Sequence, residues 1–148
     1  MYTLHLRIVD IGLEGLVSQR TTSMEDLIIE RTDKTPFVEF LALDCKLTLS
    51  GRSIPENSIQ FYQPLLDWTE SFCAAGASSL EIHIKLEYFN TSSSKCLMDL
   101  LNRVEQCRCK AQVFWYYETE DEDMLEAGED YSAIIQIPFV LVEMDGTA

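Results

Sequence analysis

Asn90, Thr91, Ser92, Ser93 and Ser94 form an unbroken run of one amide and four hydroxyls, closed by Lys95. Such side chains have two uses at the start of a helix. One of them accepts a main-chain N–H and caps the helix, a contribution of about 0.5–2 kcal/mol. A single residue suffices for that. The remaining alcohols are open to esterification by phosphate, which adds about −1.5 to −2 charges. The first turn of a helix offers unpaired N–H groups and a partial positive charge that can hold such an anion. The run therefore predicts a capped helix start carrying a hydroxyl whose modification would change what a partner meets.

Other chemistries lack their parts. A Ser-His-acid hydrolase needs a histidine near its nucleophile and often a GxSxG turn. The chain has only His5 and His83, and no such turn. His83 alternates with apolar residues, which predicts a place on the polar side of a strand. No GxxxxGK[ST] or GxGxxG loop is present to cradle a nucleotide. Carboxylates abound, but an acid/base pair needs a cleft that shifts a pKa. The reading is of a protein that is not an enzyme and needs no cofactor.

The elements that position the hydroxyl run follow from periodicity. Residues 80–88 alternate apolar Leu80, Ile82, Ile84, Leu86 and Tyr88 with polar Glu81, His83, Lys85 and Glu87, a strand with one buried face. After the run, Leu97, Leu100, Leu101 and Val104 mark a helix whose other side carries Asp99, Asn102 and Gln106. Strands at 27–30, 37–41 and 45–49 come earlier, the last two joined by a hairpin near Asp44. A helix over 56–75 has Phe61, Leu65, Trp68 and Phe72 on one stripe. Pro64 in it implies a kink or a later start, and Gly76 ends it. Residues 111–117 and 134–142 read as further strands, the last at an edge or bulge because of Pro138. The fold class is α/β (α+β), one mixed sheet with helices mainly on its apolar face. Residues 1–23 are set apart as an N-terminal extension with a weak strand signal, and 24–148 as the domain proper.

A formal charge of −14 over 148 residues argues against nucleic acid or an anionic membrane as partner. No apolar run reaches the length of a membrane span, and no secretory leader is evident, so a cytoplasmic location is expected. Eight carboxylates fall within residues 118–130 with no Lys or Arg among them. They lack the spacing and turn glycine of a calcium loop, and a solvated helix or loop is the plain reading. The alternative is a small-ligand or metal-binding sensor built on residues 118–130 and the neighbouring Trp115, Tyr116 and Tyr117. Cys45, Cys73, Cys96, Cys107 and Cys109 show no zinc spacing and are expected to be reduced, mostly buried thiols.

Four stretches together carry a family likeness: GRSIPENS, LEYFNTSSSK, WYYETEDEDMLEAGEDY and IPFVLVE. With them the chain from about residue 35 to 142 resembles the SiaC family of bacterial regulatory phosphoproteins, similar in fold to STAS-type anti-sigma-factor antagonists. The resemblance implies partner switching. A Ser/Thr kinase would phosphorylate the threonine of the NTS motif, here Thr91, and a metal-dependent Ser/Thr phosphatase would reverse it. The unphosphorylated form would bind and activate an effector such as a diguanylate cyclase, placing the protein in cyclic-di-GMP signalling and biofilm regulation. Asn90, Ser92, Ser93, Ser94 and Lys95 would flank Thr91 in the partner-facing surface. Ser94 lengthens the hydroxyl run beyond the family motif, so a neighbouring serine could share the modification.

Overall fold

The computed structural model describes residues 2–5 and 24–145. Its elements are β1 (Tyr2–His5), β2 (Met24–Ile29), β3 (Phe37–Leu41), β4 (Lys46–Ser53), α1 (Ser58–Ala74), β5 (Ser79–Phe89), α2 (Thr91–Gln106), β6 (Lys110–Glu118), α3 (Glu122–Ile134) and β7 (Phe139–Met144). The seven strands form one sheet in chain order. β1 to β4 pair antiparallel, and β4 to β7 pair parallel.

Each parallel connection contains one helix. Because the strands step across the sheet in one direction, crossovers of the single favoured hand carry all three helices to one face. The core lies between the two layers. Leu47, Leu49, Leu80, Ile82, Ile84, Val113 and Trp115 from the sheet meet Leu65, Trp68, Phe72, Leu97, Leu100, Leu101 and Val104 from the helices. Leu80, Ile82 and Ile84 and the seven helical residues are those whose alternation and helical spacing set them apart in the sequence. α1 runs through Pro64, and its first residue lies two positions later than periodicity suggests. No helix among the described residues is long and apolar enough to cross a membrane.

Four expectations are corrected. Tyr88 does not continue the inward face of β5; it is 52% exposed. The register between β4 and β5 shifts at Gly51/Arg52, so that Gly51 pairs with Leu86 but Arg52 pairs with Tyr88 and Ser53 with Phe89. The extra β5 residue at this bulge reverses the phase of the alternation. Phe89 therefore turns inward against Trp115 and Tyr131, and Tyr88 turns out beside Arg52. Gly51 accommodates the bulge with φ +106°, a left-handed value suited to glycine.

Second, the last strand begins at Phe139, because α3 extends to Ile134 and Pro138, which has no N–H, adds only its carbonyl to the ladder, accepting from Val113 N at 2.9 Å. β7 is an edge strand, the place expected for a strand next to a proline. Third, Cys73 and Cys107 are joined by a disulfide. Among the remaining thiols only Cys96 is buried, while Cys45 and Cys109 are partly exposed. Neither half-cystine lies in a recognisable spacing; the packing of α1 on α2 brings them together. Fourth, His83 lies on the sheet face away from the helices, as its alternation implies, but its side chain is only 12% exposed. Its ring stacks on Phe114 at 4.6 Å, and its two nitrogens bond the Tyr116 hydroxyl and the Glu81 carboxylate at 2.9 and 3.0 Å.

The candidate phosphoacceptor turn

Three helices leave the same edge of the sheet, after β4, β5 and β6. Each begins with an Asx cap: Asn57, Asn90 and Asp121 accept from the main-chain N–H of Gln60, Ser93 and Met124 respectively. This side-chain geometry satisfies one orphan donor of each first turn. Only the second cap is followed by a hydroxyl run, and only there does each residue of the run have a different environment.

Asn90 Oδ1 accepts from Ser93 N at 2.8 Å and from the Ser92 hydroxyl at 3.2 Å. Ser92 also shares a 2.7 Å hydrogen bond with Ser58, the first residue of α1. Ser93 is fully buried. Its hydroxyl donates to Ser53 O at 2.9 Å and lies 2.8 Å from Ser53 Oγ, which in turn is 2.8 Å from the Tyr62 hydroxyl. Ser94 N donates to Asn90 O, and Ser94 O accepts from the Tyr131 hydroxyl at 2.8 Å. Thr91 and Lys95 are exposed. Among the described residues the Thr91 hydroxyl makes no hydrogen bond, and it occupies the first position of α2. The run thus divides its work: Asn90 caps, Ser92 and Ser93 lock the turn to α1 and β4, and Thr91 is left facing solvent.

The expectation that all six residues form one partner-facing surface is narrowed by this division. Asn90, Thr91, Ser92, Ser94 and Lys95 reach the surface to differing degrees, whereas Ser93 is withdrawn into the core as a support. Sequence reasoning did not assign Ser53, Ser58, Tyr62 or Tyr131, which hold the turn in place. Ser53 and Ser58 lie within GRSIPENS, but nothing in their spacing reveals that the ends of β4 and α1 face residues some forty positions later.

Burial governs the two tyrosines. It pushes the Tyr131 phenol up to about 12, against a smaller opposing effect from the bond to Ser94. Burial also raises Tyr62, outweighing its bond to Ser53. Both therefore remain neutral donors or acceptors at ordinary pH. Beside the turn, between α2 and α3, lies a groove of about 340 Å³ lined by Phe89, Lys95, Met98, Ala127, Tyr131 and Ile134. Ile134 is 62% exposed there. An alcohol at a positively polarised helix end next to an apolar groove has the makings of a modifiable docking surface.

The carboxylates of residues 118–130 are arranged otherwise. Asp121 caps α3, Glu122 and Asp123 sit in its first turn, where negative charge suits the helix dipole, and Glu126, Glu129 and Asp130 are exposed. Among the described residues no group of three or more His, Cys, Asp or Glu side chains could hold a metal ion. Trp115, assigned to the alternative ligand site, is fully buried and donates to Met124 O.

Residues 29–144 match the model of the SiaC family regulatory phosphoproteins. The chain belongs to the SiaC family. A curated relative, an uncharacterized protein of Pseudomonas aeruginosa (strain UCBPP-PA14), is 33% identical over 125 residues, covering 82% of this chain and 99% of the relative. Among solved structures, SiaC of Pseudomonas aeruginosa crystallised as the activator in complex with the diguanylate cyclase SiaD aligns with a TM-score of 0.77 and 32% identity. That alignment covers 80% of this chain and all of SiaC. Apo-SiaC of the same organism aligns at 0.75 and 32% identity, over 80% of this chain and 99% of that one. The mixed sheet and three helices are the fold of these SiaC structures, and the chain is a regulatory phosphoprotein by family.

Proposed function

We propose that this protein is a non-enzymatic partner switch whose phosphoacceptor is Thr91. A Ser/Thr kinase modifies Thr91 and a metal-dependent phosphatase restores it. The unmodified domain binds and activates an effector, a diguanylate cyclase as in the complex of its relative. The contact surface is the exposed part of the turn, Asn90, Thr91, Ser92, Ser94 and Lys95, together with the adjoining α2–α3 groove. Residues 24–148 are the regulatory domain and residues 1–23 an extension to it. The cytoplasm, where an intracellular kinase and cyclase can reach the turn, is its place of work.

One observation carries this reading: the Thr91 hydroxyl is exposed and without a hydrogen-bond partner among the described residues, on the first residue of a helix whose cap is already provided by Asn90. A phosphate there would sit against the first-turn N–H groups, with Lys95 one turn on, so α2 would be little disturbed. The effector, by contrast, would meet a dianion where it had met an alcohol. An uncompensated charge in an interface costs several kcal/mol, on the order of a hundredfold or more in affinity.

Calorimetric titration of the purified cyclase with unmodified, Thr91-phosphorylated, Thr91→Ala and Thr91→Glu protein tests this. Unmodified and Thr91→Ala protein should bind alike, Thr91→Glu weakly and the phosphorylated form least. Equal affinity of the phosphorylated and unmodified forms would overturn the mechanism.

A further inference from the structure

The helices that carry the switch are tied at both ends. At their amino ends Ser58 of α1 and Ser92 of α2 share a hydrogen bond. At their carboxyl ends Cys73, in the last turn of α1, is bonded to Cys107, the residue that ends α2. Between the two ties Arg103 forms an ion pair with Glu70. Ser58 and Cys73 both lie on α1, so the ties are separated by about 22 Å at 1.5 Å per residue. The Cα atoms of Cys73 and Cys107 lie 5.5 Å apart, within the range that permits a disulfide without backbone movement. Both residues are partly exposed, so a small thiol or disulfide reagent can reach them.

We propose that Cys73–Cys107 is a reversible redox site that clamps α1 to α2 and so tunes the order of the Thr91 turn at their far ends. The oxidant is a low-molecular-weight disulfide of the glutathione class. One protein thiolate attacks it, forming a mixed disulfide and releasing one thiol. The second protein thiolate displaces the other thiol, leaving Cys73–Cys107 and two reduced glutathiones; the reverse path restores both cysteines. Two electrons and two protons move in each direction, and no other reactant is needed.

Resting on the cytoplasmic place of work proposed above, the chemistry favours a switch over a permanent staple. In intracellular proteins disulfides are rare, and those that form are commonly redox-sensing. The closed loop spans 34 residues and includes the whole β5 strand and the phosphoacceptor turn. Reduction removes the covalent tie at the carboxyl ends and leaves the Ser58–Ser92 bridge to hold the helix pair at the turn by itself. The last turn of α2 then frays first, and the loosening passes up the helix pair to its first turn. This inference concerns the state of two sulfurs and the order of two helices, and stands whether or not Thr91 is phosphorylated.

The test equilibrates the full chain in buffers of defined reduced-to-oxidised glutathione ratio and traps free thiols by alkylation before peptide mapping. Cys73 and Cys107 should be protected together as a linked peptide pair in the oxidised buffers and alkylated together in the reduced ones, with Cys45 and Cys109 alkylated in both. The reduced form should melt about 10 °C lower. Exchange of the hydrogen-bonded first-turn amides of Gln60, Ser93 and Ser94 should be at least about threefold faster in it. Cys73→Ala and Cys107→Ser should each behave as the reduced protein at every ratio. Full alkylation of both cysteines in the oxidised buffers, a linkage to Cys109 instead, or identical exchange of the Ser93 and Ser94 amides in the two forms would overturn the proposal.

Discussion

The hydroxyls of Ser58 and Ser92 share a 2.7 Å hydrogen bond that joins the first turn of α1 to the first turn of α2. It places the exposed Thr91 beside the start of a second helix, so the phosphoacceptor turn belongs to a paired helix edge. A double-mutant cycle of Ser58→Ala and Ser92→Ala, read by urea denaturation, should give a coupling of about 0.5–1.5 kcal/mol. Strict additivity would show that the two helix starts are independent.

Neighbouring residues of the hydroxyl run should differ sharply in what they contribute to stability. Thr91→Ala should change it by no more than about 0.5 kcal/mol, since the side chain is exposed and unbonded. Thr91→Glu should raise it by about 0.3–1 kcal/mol through the helix dipole, even while effector binding falls. Ser93→Ala, two positions on, should cost about 1–3 kcal/mol because it strips partners from the buried Ser53. Chemical denaturation of the three variants in one buffer checks this, and a uniform response would contradict the division of roles.

Asn90 should matter as a cap before it matters as a contact. Asn90→Ala removes the acceptor of Ser93 N and should cost about 1 kcal/mol, whereas Asn90→Asp should preserve stability. Circular dichroism melts compare the two directly. If both variants melt alike below the parent, the cap is not what the carboxamide provides.

Gly128 answers to a close approach between α3 and β6. A Cβ there would lie 2.5 Å from Trp115 Cδ1, in the ring that donates to Met124 O. Gly128→Ala should therefore cost about 1–3 kcal/mol despite its better helix propensity, and should alter the near-ultraviolet signal of the tryptophan. A gain in stability would mean that α3 can lift away freely.

Alkaline pH should unfold the site's support. Tyr131 has its pKa raised by burial from the ordinary 10.0 to about 12, and Tyr62 shifts the same way. The native state therefore holds these protons more tightly than the unfolded chain. Their contribution is complete below about pH 10 and is lost as pH rises towards 12. Tyr131→Phe should flatten that loss while lowering stability at pH 7 through the missing bond to Ser94 O. An equally steep alkaline decline in the variant would assign the effect to other groups.

Much of the candidate site was legible in one dimension. The alternation across Leu80, Ile82, Ile84 and Leu86 and the stripe of Leu97, Leu100, Leu101 and Val104 locate a strand-to-helix junction, and a hydroxyl run at that junction follows the chemistry of caps. Tyr88 shows where this reasoning stops. Its phase is right by period two, but a bulge opposite Gly51 inserts a residue and sends Phe89 inward in its place. A bulge depends on two strands at once, and period two in one strand does not register it. The disulfide partners and the α2–α3 groove were illegible for the same reason, since each is a meeting of segments that only the packing of helices on the sheet brings about.

By itself, then, the sequence determined most of the strands and helices, most of the faces they bury, and that a string of alcohols stands at a helix start. Those are properties of local spacing and side-chain chemistry. Tertiary structure decided which alcohol is left free. Ser93 is taken by Ser53, Ser92 by Ser58 and Asn90, and Thr91 by none of the described residues. The physical reason is that hydrogen-bond partners come from β4 and α1, distant in the chain, and the bend of the first turn sends each successive side chain towards a different neighbour.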